Sequence, residues 1–232
     1  TEEALRLFSE AQEKRGVVNA LNDLGWMMGV ILLHREEGTM YFQQALAMAR
    51  EINDQRGIAW SLNGLGALAQ WQGHPDEAIR YYEDSLEIAR SVGDLVRVSG
   101  ALNNIGMIQL ERGAHELARA RLEESLEIGQ RIGRRQAITS AYMNLGNLAR
   151  AQGDAGKAQQ YYSDALALYR EIGDRAGTAN GLHGLGVIAR LAGSFEEAHS
   201  RLSESLAISR EIYYPSGISN NLSELAQVER LQ

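Results

Sequence analysis

Apolar residues recur along the chain at the three- and four-residue spacing of amphipathic helices, and glycines separate the runs. The run over residues 55–72 has its apolar side chains at Ile58, Leu62, Leu65, Leu68 and Ala69. Gly73 ends this run, as a glycine in the left-handed conformation ends a helix. A second run covers residues 76–92, and Gly93 ends it. Because nothing alternates with period two, the pattern predicts pairs of helices of about 18 residues, roughly 27 Å long, and no sheet.

The helix pair is repeated along the whole chain. Equivalent landmark positions are Gly25, Gly66, Gly106, Gly146, Gly186 and Ala226, which lie 41, 40, 40, 40 and 40 residues apart. The extra residue of the first step lies between Gly25 and Ala45, where Trp26-Met27-Met28-Gly29 departs from the pattern. The period predicts one array over residues 1–232 with about twelve helices. It comprises an orphan second helix at 1–13, repeats at about 14–53, 54–93, 94–133, 134–173 and 174–213, and an orphan first helix at 214–232.

A small residue follows twelve positions after a landmark glycine, and a bulky one follows four positions later, as at Ala78 and Tyr82. In this pattern the chain resembles the tetratricopeptide-repeat (TPR) family, in its long form of about 40 residues per repeat instead of about 34. Such long repeats are typical of bacterial signalling and regulatory proteins and of spindle-orientation adaptors. The resemblance covers essentially the whole chain. It implies an all-α fold, an α-solenoid in which antiparallel helix pairs form a right-handed superhelix, and a concave groove, lined by the first helices, that binds peptides.

Positions on each first helix can be counted from the landmark glycine as zero. Offsets −4, −1, 0 and +3 are apolar or small and predict the packing face, whereas offsets −6, −3, −2, +1, +4 and +5 lie on an adjoining arc that we expect to be uncovered. Asparagine is a poor helix former, yet nine of the eleven asparagines lie on this arc. They are Asn19, Asn22, Asn63, Asn103, Asn104, Asn144, Asn147, Asn180 and Asn220. Amides both donate and accept hydrogen bonds, so this ladder is predicted to hold a peptide backbone; the alternative is solvated positions inherited by the repeats.

The same arc carries aromatic and basic side chains. All three tryptophans, Trp26, Trp60 and Trp71, are predicted to bind apolar side chains of a partner, unless they pack on neighbouring helices. At offset +4 the row Arg150, Arg190 and Arg230 is predicted to favour acidic ligands, although Glu111 and Glu224 on the same face make a solvated or ion-paired row the alternative. His183 replaces an asparagine and is expected to add a hydrogen bond.

Composition excludes several classes of protein. The chain has 232 residues, no cysteine, and a formal net charge of −7, which argues against disulfide scaffolds, thiol catalysis and nucleic-acid or anionic-membrane binding. The five histidines have no metal-ligand spacing, and no catalytic triad is suggested. We therefore expect a cytoplasmic protein that is not an enzyme and binds no metal or cofactor. Because the chain does not begin with Met, we expect a fragment of a longer protein.

Three functions agree with this pattern. The first is a protein-interaction scaffold that binds a peptide or partner segment in the concave groove. The second is a sensory domain of a bacterial transcription regulator or signalling ATPase, which binds a small ligand or a neighbouring domain. The third is head-to-tail self-assembly, because the two orphan helices are complementary. Its apolar contacts are predicted at Leu5, Leu7, Phe8, Leu222, Leu225 and Val228.

Overall fold

The computed structural model describes residues 13–231, and eleven α-helices occupy this range. They are α1 (Lys14–Trp26), α2 (Arg35–Glu51), α3 (Gln55–Trp71), α4 (Pro75–Ser91), α5 (Leu95–Glu111), α6 (His115–Arg131), α7 (Arg135–Ala151), α8 (Ala155–Glu171), α9 (Arg175–Leu191), α10 (Phe195–Glu211) and α11 (Pro215–Leu231). No strand is present between residues 13 and 231. This confirms the predicted all-α class, while the expected helix before α1 lies outside the described residues.

The chain divides into two compact units, residues 1–112 and 113–232. Unit 1 contains the first helices α1, α3 and α5 with the second helices α2 and α4. Unit 2 contains the second helices α6, α8 and α10 with the first helices α7, α9 and α11. Within each unit a helix packs on the helices before and after it, and successive first helices also contact one another. These repeated helix pairs confirm the predicted solenoid of TPR type.

Left-handed residues end most helices and make the short turns possible. Gly73 has φ +81°, and its N–H donates to Gln70 O while the next N–H, that of His74, donates to Ala69 O. Those two bonds satisfy carbonyls that the helix end would otherwise leave unpaired. Glycine fills most such positions because it adopts positive φ without a steric penalty. Three turns use other residues with positive φ: Leu33, Asn53 and Tyr213.

The extra residue of the first repeat is accommodated by a π-helical turn, Met27–Ile31, that continues α1. Leu32 N–H donates to Met27 O at 2.9 Å, a bond that spans five residues instead of four. The α-helix and the π-turn together have one residue more than the 17-residue first helices of the other repeats. A widened turn therefore absorbs the insertion without shifting the register of α2.

The landmark glycines make room for large side chains of the second helices. The Phe42 ring, which is fully buried, lies against Gly25 of its own repeat and against Gly64 of the next first helix. Tyr162 occupies the equivalent place in unit 2, between Gly146 and Gly184. A Cβ atom at these glycines would overlap the rings, so glycine is required here for close packing, not for backbone freedom.

Buried tyrosines make the protein sensitive to alkaline pH. Burial raises the pKa of Tyr82 well above the usual 10.0, and burial also raises the pKa of Tyr162. Below pH 10 both states keep these protons, so the stabilisation is fully present; above it the unfolded chain releases them and the folded state does not. We expect the free energy of unfolding to fall above pH 10 by about 1.4 kcal/mol per pH unit through Tyr82, and Tyr162 acts in the same direction.

Urea unfolding at a series of pH values, followed by circular dichroism, measures this effect. Tyr82→Phe should reduce the alkaline slope, and Tyr213→Phe, which changes a side chain that is 89% exposed, should leave it unchanged. An unaltered slope in Tyr82→Phe would contradict the assignment.

Candidate functional site

The tryptophans of unit 1 differ in how much of each remains available to a partner. Trp26 and Trp71, at the C-terminal ends of α1 and α3, expose 40% and 43% of their surface. Trp60 is half-buried, and the Arg97 guanidinium of α5 lies 4.9 Å from the centroid of its ring. Trp60 thus packs on the neighbouring first helix, which was the alternative considered for the tryptophans. Trp26 and Trp71 stay accessible.

Offset −3 lies at the contact between successive first helices. Asn22 is fully buried, and its Oδ1 accepts a hydrogen bond of 2.9 Å from Ser61 Oγ. In unit 2, His183 Nδ1 lies 3.0 Å from Asn221 Oδ1 in the same arrangement. Asn63 and Asn103 share this offset and are half-buried. The expectation that Asn22 is uncovered is therefore wrong, because the next first helix covers it.

Offset −2 is also less exposed than expected, since it faces the bulky side chain of the preceding second helix. Gly64 contacts Phe42 there, and Gly184 contacts Tyr162. Asn144 at this offset is 8% exposed, and Asn104 is half-buried. Asn144 is therefore corrected from a surface position to a buried one.

The remaining predicted residues of unit 2 keep part of their surface free. Asn180 is half-buried and Asn220 is exposed. Asn147 is half-buried and its Oδ1 accepts a 2.8 Å hydrogen bond from the Tyr162 hydroxyl, so its amide NH₂ is what it can offer a ligand.

The arginine row is mixed. Arg150 and Arg230 are exposed, whereas Arg190 Nε donates to Glu224 Oε2 at 2.7 Å. The side chains of Arg190 and Glu224 are only 15% and 18% exposed, so the Arg190 guanidinium is already paired with a carboxylate of the same protein. The ion-paired alternative therefore describes Arg190, and Arg150 and Arg230 remain candidates for binding an acidic ligand.

The predicted self-association surface is only partly present in α11. Leu222 is 45% exposed, and Leu225 packs partly buried beside Val228. Val228 itself is fully buried among Ala189, Ala198 and Leu202, so its expected exposure is wrong. The other predicted contacts, Leu5, Leu7 and Phe8, lie outside the described residues. Self-association through these ends stays a prediction.

The sequence reasoning missed an open cavity of about 540 Å³ in unit 1. The N-terminal ends of α1, α3 and α5 form it, together with the turn before α3. It is lined by the side chains of Arg15, Asn19, Asn53, Asp54, Arg56, Trp60 and Arg97, among others. A signal was present in the sequence, because Arg56 lies 41 residues after Arg15, and Arg97 lies 41 residues after Arg56.

Two further findings concern the described part of the chain. Residues 13–231 contain no group of three or more His, Asp or Glu side chains arranged to hold a metal ion. Within the same range no helix is long and apolar enough to cross a membrane. The absence of catalysis and the cytoplasmic location remain predictions.

Comparison with solved structures shows the same fold in several proteins. BtubC from P. vanneervenii is 25% identical, with a TM-score of 0.72 over 92% of this chain and 88% of that chain. A Rap protein complexed with Competence and Sporulation Factor is 16% identical, with a TM-score of 0.78 over 94% of this chain. A STAND signal-transduction ATPase with a tetratricopeptide-repeat sensor, from Pyrococcus horikoshii, is 20% identical, with a TM-score of 0.73 over 99% of this chain. The chain spans 63% of the Rap protein and 36% of the STAND protein.

The sequence itself matches a family model. A search of curated proteins gives no significant match. The model described as tetratricopeptide repeat, however, matches residues 28–91, 58–131, 97–171 and 137–211, which together cover most of the chain. The helix pairs, the glycine-lined contacts and this match agree, and the chain belongs to the tetratricopeptide-repeat family.

Proposed function

We propose that this chain is a protein-interaction module and that the exposed faces of its first helices bind an extended segment of a partner protein. The observation that carries this proposal is the exposure of Trp26 and Trp71, because large indoles left uncovered at the ends of neighbouring first helices are typical of interaction surfaces. The similar Rap protein was solved with Competence and Sporulation Factor, which is in keeping with a binding role for the fold.

The polar groups of unit 2 form a candidate surface of their own. Arg150 and Arg230 are exposed, and their planar guanidinium groups favour acidic side chains in the partner. Asn180 and Asn220 offer amides for the backbone of an extended segment. Asn22 and Asn144 no longer belong to the proposed surface, because the structure buries both.

The test selects peptides from a random displayed library and measures their affinity by fluorescence polarisation. Trp71→Ala is expected to weaken the selected peptides of unit 1 by about 2 kcal/mol, roughly thirtyfold, since a tryptophan at an interface often dominates the binding energy. Arg150→Glu is the corresponding change in unit 2. It is easier to interpret than a change at Arg190, because a change at Arg190 would also break the ion pair with Glu224.

Met40→Ala is the matched control, because Met40 is 57% exposed but belongs to a second helix of unit 1. It should leave peptide affinity unchanged. Equal losses in Met40→Ala and Trp71→Ala, or peptides that bind Trp71→Ala as tightly as the parent protein, would overturn the proposed surface.

A second candidate function is sensing of a small ligand. It is favoured by one observation, the arginine-lined cavity of unit 1, which is separate from the exposed ends of α1 and α3 that carry Trp26 and Trp71. The similar STAND protein carries a tetratricopeptide-repeat sensor, which agrees with such a role for the fold.

A further inference from the structure

The cavity of unit 1 is lined by one arginine from each of three successive first helices. Arg15 and Arg56 are the second residues of α1 and α3, and Arg97 is the third residue of α5. Trp60 forms one wall, and the Arg97 guanidinium stacks on its ring. The stacked indole restricts the Arg97 side chain, which lowers the entropy that a ligand would have to remove on binding.

The charge of this cavity is opposite to that of the chain. Asp54 is the one acidic residue among its lining residues, against three arginines, in a chain whose formal net charge is −7. Arg97 Nη1 donates to Asp94 at 2.7 Å, but its Nε is buried without a hydrogen-bond partner within residues 13–231. Arg15 and Arg56 form no ion pair with any described residue. The three guanidinium groups line one cavity, so an anion bound in that cavity would be attracted to all three.

Other cations at the starts of first helices are already paired. The first residues of α1, α7 and α9 bind the last residue of the following second helix, in the pairs Lys14–Glu51, Arg135–Glu171 and Arg175–Glu211. Arg15 and Arg56 stand one position further along their helices and take no part in this pairing. Among residues 13–231, the ion pairs that stabilise the repeats therefore do not involve these two arginines.

Asn53 adds a neutral donor to the same cavity. It has φ +54° in the turn before α3, a position that glycine fills at the equivalent joints Gly93, Gly133 and Gly173. A glycine there would suit the backbone, so the asparagine side chain is not required for the turn. Its amide is exposed and lines the cavity.

We propose that this cavity binds a small phosphorylated ligand through Arg15, Arg56 and Arg97. A carboxylate offers two coplanar oxygens and a single charge, which one guanidinium fork satisfies. A phosphate group offers three oxygens in different directions and up to two charges, which matches cations that come from three helices. The cavity is larger than one phosphate group, so the remainder of the ligand lies against Trp60. The inference rests on the second candidate function, ligand sensing, and not on peptide binding.

Unit 2 contains a cavity at the equivalent joint that lacks these features. It has a volume of about 510 Å³ and is lined by Arg134, Arg135, Gln136 and Asp174, among others. Arg135 is held by Glu171 at 2.6 Å, and the lining contains no aromatic residue. This joint provides an internal control of similar size.

The experiment is isothermal titration calorimetry of the whole chain with inorganic pyrophosphate and inorganic phosphate. Arg56→Ala is expected to weaken pyrophosphate about tenfold, and Asn53→Gly severalfold with the turn preserved. Arg134→Ala, in the control cavity, should have no effect. In the double variant Trp26→Phe/Trp71→Phe, Trp60 is the only tryptophan, and its fluorescence should change on titration.

The source of the phosphate group is tested with a phosphoserine peptide and its unphosphorylated counterpart. Binding of free pyrophosphate with loss in Arg56→Ala supports a small ligand, and binding of the phosphopeptide alone with the same loss supports phosphate recognition on a partner. No heat and no fluorescence change at millimolar pyrophosphate or phosphopeptide would overturn the proposal. So would equal losses in Arg56→Ala and Arg134→Ala, or tighter binding of a glutamate peptide than of either phosphate probe.

The fold and the peptide surface are monitored separately. The helical circular dichroism of Arg56→Ala should match that of the parent protein. The selected peptides that depend on Trp71 should bind Arg56→Ala with the same affinity as the parent protein. A failure of phosphate binding with intact peptide binding therefore contradicts this inference alone, whereas loss of peptide binding in Trp71→Ala speaks only to the interaction surface.

Discussion

Replacement of Gly38 by alanine is expected to lower the free energy of unfolding of unit 1 by about 3 kcal/mol. Gly38 of α2 lies directly against the π-helical turn, where an added Cβ would stand 2.7 Å from Gly29 N and 2.9 Å from Gly25 O. These neighbours are backbone atoms, so no side chain can rotate away. Either α2 or the π-turn would have to move, and their packing against Leu68 would be lost.

Urea unfolding followed by tryptophan fluorescence measures this effect, because all three tryptophans lie in unit 1. Gly100→Ala is the matched control: this glycine is inside α5, and an added Cβ would meet no atom within 4 Å. The control should raise stability by about 0.5–1 kcal/mol, since alanine is the better helix former. If both variants shift the midpoint in the same direction, the close approach of the two backbones does not determine stability here.

Replacement of Phe42 by alanine is expected to lower the free energy of unfolding by about 3–5 kcal/mol. The Phe42 side chain is fully buried, with 0% exposure. It packs with Val18, Leu46 and Leu62 in the core of unit 1. Truncation would leave a void between the first helices α1 and α3, which carry Gly25 and Gly64. Met40→Ala, at a side chain that is 57% exposed on the same helix, should change stability by less than about 0.5 kcal/mol.

A double-mutant cycle identifies the contact responsible. Gly64→Ala should destabilise the parent protein, because the new Cβ would lie 2.7 Å from Phe42 Cδ1. The same substitution in the Phe42→Ala background should be tolerated, since the methyl group then enters the space that the ring has left. Additive losses in the double variant would mean that the ring and Gly64 do not act as one packing unit.

The regular parts of the fold can be predicted from the sequence because every repeat has the same packing requirement. Each second helix places a bulky side chain such as Phe42 or Tyr162 against a first helix, and a landmark glycine must meet it. That requirement is visible as spacing in the chain alone. The position of the irregular repeat was visible as well, since one extra residue follows Gly25. Its form was not: an insertion can enlarge a turn, a loop or a helix, and only packing on Gly38 and Leu68 selects the π-helical turn.

The candidate site was less predictable because its exposure depends on neighbours outside each helix. The angular position of Asn22 or Asn144 describes one helix, whereas burial is decided by the next first helix and by the preceding second helix. Val228 shows the same limit, since it was expected to be exposed and yet α9 and α10 bury its side chain. The cavity was missed because its three arginines lie outside the arc chosen for peptide binding, although Asn19 and Trp60 lie on that arc.

The local connectivity of the helices also bears on how the protein is made. In unit 1 each helix packs on the next helix, and each first helix also contacts the next first helix, so the chain segments that join contacting helices are short. Short closures lose little entropy, and folds of this kind form rapidly. During synthesis each new helix can dock on a finished predecessor as it leaves the ribosome. Unit 1, complete at Arg112, can therefore be folded while the ribosome is still adding unit 2.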